Sequence, residues 1–277
     1  MAKPEFIDSV KKIVVRVVGR RFVLRRHLDR ELKSGEPEIH LLPLLADSRG
    51  EFLDVGANVG SYALYGTRFF GKVIALEPHP EAARKLMDGL RGQVEVLPIA
   101  ASDVDGKSTL SIPYRAGNDV VSRSSLEAGA NPGFLTREVM VDLKRIDSLQ
   151  FDRLRVIKID VEGHELSVLR GARETLRKFR PAVIVECEER HNAGGIESLS
   201  AFFDELGYVG YFIHRGALRP FSEFDVAGLQ SHDNVKSIDG PRSLDYVNNF
   251  IFEPSESANS GWKAQFLLSP AAARPVG

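Results

Sequence analysis

Apolar residues in this chain fall into two periods. Predominantly apolar stretches at 52–55, 73–76, 94–98, 156–159, 182–187, 208–213 and 246–252 are bounded by turn residues, and read as strands buried on both faces. Between them apolar positions recur at helical spacing, as with Leu86 and Leu90, and again with Leu166, Leu169, Ala172 and Leu176. Pro80 and Glu81 suit the first turn of one of these helices and Gly92 its end, while Pro181 stops another. Strands alternate with helices until the last two, which face each other across the polar stretch 215–245. The pattern predicts an α/β fold: a doubly wound, mostly parallel seven-stranded sheet with a late antiparallel strand.

Two more segments, 106–112 and 139–143, alternate in the strand manner. The stretch 114–137 between them is rich in Gly, Ser and Asn and has no apolar period, which reads as a substrate lid. Arg115, Asn118, Ser122, Arg123, Ser124 and Ser125 are its candidate polar contacts. Three regions follow: a helical extension over 1–49, the main domain over 50–253, and a mostly disordered tail over 254–277, within which 262–268 is an apolar docking segment.

Residues 1–30 are locally basic, with nine Lys or Arg against three acids, and Val10, Ile13, Val14, Val17, Val18, Leu24 and Leu28 recur at helical spacing around a break near Gly19. Three readings stand for it: a cap over the domain or a dimer partner, peripheral contact with an acidic membrane surface, or attraction of an anionic substrate. The whole chain of 277 residues is 43% hydrophobic and 27% charged, as expected of one globular domain with additions. A net charge of −1 gives no case for nucleic-acid binding. A single cysteine, Cys187, excludes an intrachain disulfide or a cysteine-cluster zinc site; its place in an apolar run makes it a buried thiol. No apolar run approaches the ~18 residues of a membrane span, and no secretory signal is evident, so the expected location is cytoplasmic.

The candidate chemistry gathers at strand exits. Residues 52–62 pass from a strand through Gly56 and Gly60 into a helix start, where free backbone N–H groups suit a polar ligand. Glu77 ends the next strand, 21 residues after Gly56, where an acid accepts from ribose hydroxyls in nucleotide-binding sheets. The spacing Gly-Ala-Asn-Val-Gly departs from the dinucleotide pattern G-x-G-x-x-G, and Asp54 precedes it. Asp103 follows the third strand, Asp160 ends the strand at 156–159, and Gly163 turns the chain into the next helix.

The stretches DVGANVGSYA (54–63) and KIDVEGHELSVLRGA (158–172), with Glu36-Pro37-Glu38 and the segments 75–80 and 248–252, resemble the FkbM family of S-adenosylmethionine-dependent methyltransferases over residues 36–253. The resemblance implies a class I, Rossmann-like methyltransferase fold and O-methylation of a hydroxyl on a sugar or small metabolite. By position it places Asp54, Gly56, Asn58 and Gly60 at the methionine end of the cofactor, Glu77 at the ribose, Asp103 at the adenine and Asp160 at the reaction centre. S-adenosylmethionine has no phosphate, and an acid before the turn serves its ammonium instead. An alcohol needs a general base. His191 is the first candidate and His164 its competitor, since both follow strand ends. Asp160 with Glu162, Glu186 or Glu188 is the alternative, as an oxygen-ligand site for Mg²⁺. Two other readings remain: a non-catalytic cofactor-binding or interaction protein of the same fold, and a nicotinamide oxidoreductase. The expected partner is a small-molecule or glycan acceptor, with a homodimer as the assembly.

Overall fold

A computed structural model describes residues 19–115, 118–119, 124–127, 135–231, 245–257 and 261–267. Its strands, in chain order, are β1 (Glu51–Val55), β2 (Lys72–Leu76), β3 (Glu95–Leu97), β4 (Ile99–Ala101), β5 (Gly106–Arg115), β6 (Asn118–Asp119), β7 (Leu135–Lys144), β8 (Leu154–Ile159), β9 (Ala182–Glu186), β10 (Tyr208–His214), β11 (Ala217–Pro220) and β12 (Asn249–Pro254). The helices are α1 (Arg20–Ser34), α2 (Leu42–Leu45), α3 (Ser61–Gly66), α4 (Pro80–Gly89), α5 (Glu165–Arg170), α6 (Arg173–Phe179), α7 (Gly195–Glu205), α8 (Val226–Leu229) and α9 (Trp262–Leu267).

The main sheet has the order β11-β10-β12-β9-β8-β1-β2-β3. From β3 to β9 every pair is parallel, and β12 inserts antiparallel between β9 and β10. The chain leaves β1 towards β2 and later returns to β1's other side as β8, so β1 and β8 flank the topological switch point where such sheets bind ligands. All five residues of β1 are buried. Its side chains divide between the two faces: Leu53 and Val55 pack with α5, α6 and α7, while Phe52 packs with α1, α3 and α4.

Three details correct the sequence expectation. The main sheet holds eight strands rather than seven, because β11 folds back on β10 through Arg215 (φ 49°) and Gly216 (φ 75°), the paired left-handed conformations of a tight hairpin turn. The third strand ends at Leu97, because Pro98 has no N–H for the ladder, and the chain resumes as β4 in a second sheet of order β4-β7-β5-β6. The predicted helix ending before Pro181 is two helices, α5 and α6, and Val168 is buried where Leu166 was expected to be.

The segment 114–137 also shrinks as a loop. β5 runs on to Arg115 and β7 begins at Leu135, so the strands of the hairpin account for part of it. Residues 124–127 are stitched back by reciprocal backbone hydrogen bonds between Ser111 and Ser125, at 2.9 and 3.1 Å. Ser122 and Arg123 lie outside the described residues, as does the basic stretch 1–18.

Both ends of the described chain pack on the β1 face opposite α5–α7. Leu24 and Leu28 of α1 join the core there against α3 and α4. In α9, Trp262 and Phe266 are buried, and the Trp262 indole N–H donates to Glu253 at 2.7 Å, so the expected docking segment is a packed helix. Cys187 is buried, and burial pushes its thiol pKa up. Among the described residues, no helix is long and apolar enough to cross a membrane.

Candidate cofactor and active site

Where β1 ends, the chain turns through three left-handed residues, Gly56 (φ 81°), Asn58 (φ 48°) and Gly60 (φ 78°). A Cβ on Gly56 would stand 1.8 Å from the Asp160 carbonyl oxygen, so the exits of β1 and β8 touch backbone to backbone and only glycine fits. The Asn58 N–H points at Glu77 and donates to its Oε2 at 2.6 Å, while the His79 N–H donates to Oε1 at 2.8 Å. Glu77 thereby ties the β1 turn to the end of β2. Burial raises its pKa to about 7 against the pull of those two donors. His79 also caps α4: its Nδ1 accepts from Glu81 and Ala82 N–H ahead of Pro80.

Asp54 points from β1 into the same space and is 3% exposed. Its Oδ2 is buried with no hydrogen-bond partner. Burial raises its pKa to about 7, opposed by Lys158 and by a hydrogen bond from the Ala63 backbone. Such an orphaned carboxylate oxygen is costly unless a ligand satisfies it.

Lys158 also lines the cavity, although the sequence motifs give it no role. It lies inside the buried strand β8, is 1% exposed, and its ammonium sits over the Tyr62 ring at 5.3 Å. Its Nζ is 3.3 Å from Asn249 Oδ1, 3.7 Å from Asp160 Oδ2 and 4.0 Å from Glu36 Oε2. Burial pulls its pKa down, but Asp160, Glu36, Glu186 and Asp54 outweigh it and the net shift is upward, so Lys158 stays charged. A lysine within an apolar strand was the available signal, since lysine is almost never fully buried unless paired.

Glu36, Asp160 and Glu186 each offer an oxygen within 4.8 Å of the others. This triad differs from the expected Mg²⁺ ligands: Asp160 and Glu186 are in it, Glu162 and Glu188 are not. Glu188 is instead bonded by Arg190, Tyr246 and Asn248. Lys158 already supplies a positive charge beside two of the three triad members.

The two candidate histidines part company. His164 lines the cavity; its Nδ1 is 2.6 Å from Glu127 Oε1 and its Nε2 2.9 Å from Ser102 Oγ. Glu127 is held in turn: Ser125 Oγ accepts from the Glu127 N–H at 3.1 Å and donates to the Glu162 carbonyl at 2.8 Å. His191 is not among the cavity-lining residues, and its Nε2 lies 3.6 Å from Glu162 Oε2. Glu162 does line the cavity, in a left-handed conformation (φ 53°). Burial, with Asp160 and Glu188 nearby, raises its pKa to about 8. Asp103, expected at the adenine, is exposed and outside the lining; its neighbour Ser102 is buried and also outside the lining, joined to the site through its hydrogen bond with His164 Nε2.

These groups border a cavity of about 240 Å³. At one end Glu77, Pro78, Ile99, Ala100, Ala101 and Leu110 form a largely apolar wall, part of it from the second sheet. At the other lie Tyr62, Lys158, Glu186, Glu31 and Glu36, with Asp54, Asp160, Glu162 and His164 between. Seven acids and one lysine border it, so its field favours a cation.

Over 159 residues the chain is 28% identical to the hexuronic acid methyltransferase AglP of Haloferax volcanii, covering 57% of this chain and 64% of that protein. It is 26% identical over 190 residues to the methyltransferase sdnD of Sordaria araneosa, covering 56% of this chain and 72% of that one. It thus spans less than two thirds of AglP's length. Among solved structures, the methyltransferase FkbM of Methylobacillus flagellatus superposes with a TM-score of 0.47 at 16% identity, covering 87% of this chain and 60% of that one. The profile of the methyltransferase FkbM domain matches residues 54–212, from Asp54 at the first glycine turn to β10 and more than half of the chain, and the protein therefore belongs to the FkbM methyltransferase family.

Proposed function

We propose that the protein is an S-adenosylmethionine-dependent O-methyltransferase whose acceptor is a hydroxyl of a sugar or small metabolite. One observation carries this reading: the orphaned Asp54 Oδ2 in an acid-lined cavity, beside a glycine turn that touches the backbone of Asp160. Two like charges 4 Å apart repel by about 4 kcal/mol at an effective dielectric of 20. A dinucleotide diphosphate would meet that repulsion here, whereas a sulfonium or an ammonium meets attraction, which argues against a nicotinamide cofactor. Family membership and the relative named as a hexuronic acid methyltransferase support methyl transfer and a sugar-like acceptor.

In this reading Glu77 takes the ribose hydroxyls, the Gly56–Gly60 turn and Asp54 take the amino-acid end, and Asp160 borders the reacting centre. S-adenosylmethionine supplies an activated methyl group on a cationic sulfur. The chain's part is to align the acceptor oxygen and remove its proton. His164 is the better placed base. Glu127 accepts the Nδ1 proton, which leaves Nε2 as the basic nitrogen, and the same carboxylate steadies the imidazolium once formed. Ser102 Oγ occupies Nε2, so the acceptor hydroxyl replaces it or passes its proton through it. The lid reading of the hairpin takes a specific form: residues 124–127 deliver Glu127 to the base.

The test is incubation with methyl-labelled S-adenosylmethionine and a panel of hydroxylated sugars and small metabolites, read by mass spectrometry. A gain of one methyl group on an acceptor oxygen is expected. Cofactor binding without transfer to any acceptor would favour the non-catalytic alternative, and binding of NAD in its place would overturn the reading.

A further inference from the structure

We propose that Glu36, which lies N-terminal to residues 54–212 that the domain profile matches, binds the α-ammonium of the ligand's amino-acid end and makes the site selective for a cofactor that carries one. The inference rests on the cofactor reading above and adds a binding residue to it.

The sheet order sets the line along which a ligand must lie. Glu77 just past β2, Asp54 on β1, Lys158 on β8 with Asp160 just past it, and Glu186 on β9 follow one another across adjacent strands. At about 4.8 Å per strand, Glu77 and Glu186 are on the order of 14 Å apart. A nucleoside whose ribose meets Glu77 therefore extends its side arm towards β8 and β9. Glu36 closes the cavity at that end and is 8% exposed.

Glu36 is also built in place. Tyr62, in the first turn of α3, donates its hydroxyl to Glu36 Oε2 at 2.9 Å. The Glu36 N–H donates to Glu31 Oε1 at 2.7 Å, and Glu31 borders the same cavity. Lys158 stands 4.0 Å from Glu36, beyond hydrogen-bond distance, so it balances the charge without taking the place of a donor. The independent sign of a ligand is Asp54: its Oδ2 faces the same cavity, nine-tenths buried and without a partner. A primary ammonium has three protons to donate. One satisfies Asp54 Oδ2 from the glycine-turn side, and another reaches Glu36 from the N-terminal side. An ionised carboxylate offers about four acceptor sites on its two oxygens, so the bonds Glu36 already makes do not preclude a further one.

The discriminating probe is a pair of ligands with one nucleoside. S-adenosylhomocysteine carries the amino-acid end, and 5′-methylthioadenosine lacks it. Calorimetry on the full chain should show Glu36→Gln losing about 10- to 100-fold in affinity for S-adenosylhomocysteine, the loss of a charged hydrogen-bond partner, with 5′-methylthioadenosine unchanged. Tyr62→Phe keeps the Glu36 charge and removes its anchor, so it should give a smaller loss with the same selectivity; it also carries the test should Glu36→Gln unfold. Equal losses for both ligands would make Glu36 merely structural and overturn the proposal, as would an unchanged affinity for S-adenosylhomocysteine. Divalent-cation binding to the wild type that Glu36→Gln abolishes, with nucleoside affinities intact, would overturn it in favour of a metal site. A wild-type protein that binds neither nucleoside overturns the cofactor reading and the subsite with it, whereas binding of both without discrimination by the variants overturns the subsite alone.

Discussion

Raising the pH from 6 to 8 should tighten S-adenosylmethionine binding by about tenfold. Asp54 and Glu77 both border the cavity, and burial holds both with pKa values of about 7. A carboxyl of that pKa is ionised in about one molecule in eleven at pH 6 and about ten in eleven at pH 8. If only ionised Asp54 receives the cation, apparent affinity follows the ionised fraction, which sets the factor of about ten; ionisation of Glu77 adds to it. The bound cation favours the ionised acid, so binding near pH 7 releases protons, and the measured heat should depend on the ionisation enthalpy of the buffer. Stability of the ligand-free protein runs the other way. The folded-state pKa of Asp54 lies above its unfolded value, so the folded chain holds a proton that the unfolded chain has lost. Its contribution is present at low pH and is lost as pH rises from about 4 to about 7, by at most about 4 kcal/mol for this group. Calorimetric titrations at pH 6, 7 and 8 on the wild type and Asp54→Asn provide the assay. The variant should bind more weakly at pH 8 and show a shallower pH dependence. An affinity in the wild type that is flat or falls between pH 6 and 8 would refute the reasoning.

Gly56→Ala should destabilise the protein by about 2–5 kcal/mol, from the left-handed backbone and from a Cβ forced against the Asp160 carbonyl, whose backbone cannot yield cheaply; a denaturant midpoint near that of the wild type would show that the two exits are not in contact. His164→Ala should lower turnover by about 10²–10⁴ with cofactor affinity nearly unchanged, and Glu127→Gln should do the same more weakly. A silent His164→Ala with a damaging His191→Ala would return the base to His191. Trp262 is the single tryptophan and is 4% exposed, so intrinsic fluorescence reports on α9 alone. Its native emission should be that of a buried indole and shift to the red in the global unfolding transition; a solvent-like spectrum before unfolding would show α9 undocked.

The sequence alone determined the elements and their faces, because apolar period, turn residues and proline placement are local properties that each segment carries by itself. Seven strands of the main sheet, the strand–glycine–helix turn at 52–62, Glu77 at the end of β2 and Asp160 at the end of β8 all follow from such local patterns. The hairpin strand β11 is not legible in the sequence, because Arg215 and Gly216 sit in a stretch otherwise polar enough to pass for loop. The composition of the site was decided by tertiary structure, because its members meet only through the order of strands. Lys158 reads as one odd residue in an apolar run until the fold sets Asp160 and Glu36 around it. Glu36 reads only as part of the short motif Glu36-Pro37-Glu38 until Tyr62, 26 residues later, donates to its carboxylate. His164 and His191 are equivalent by spacing, each a few residues past a strand. They separate only when residues 124–127, stitched to β5 and to the β8 exit, bring Glu127 onto the His164 ring, while His191 comes to rest against Glu162 outside the cavity lining. Spacing along a chain encodes direction and face; which charges end within a few ångströms of one another depends on long-range pairing that no local pattern specifies.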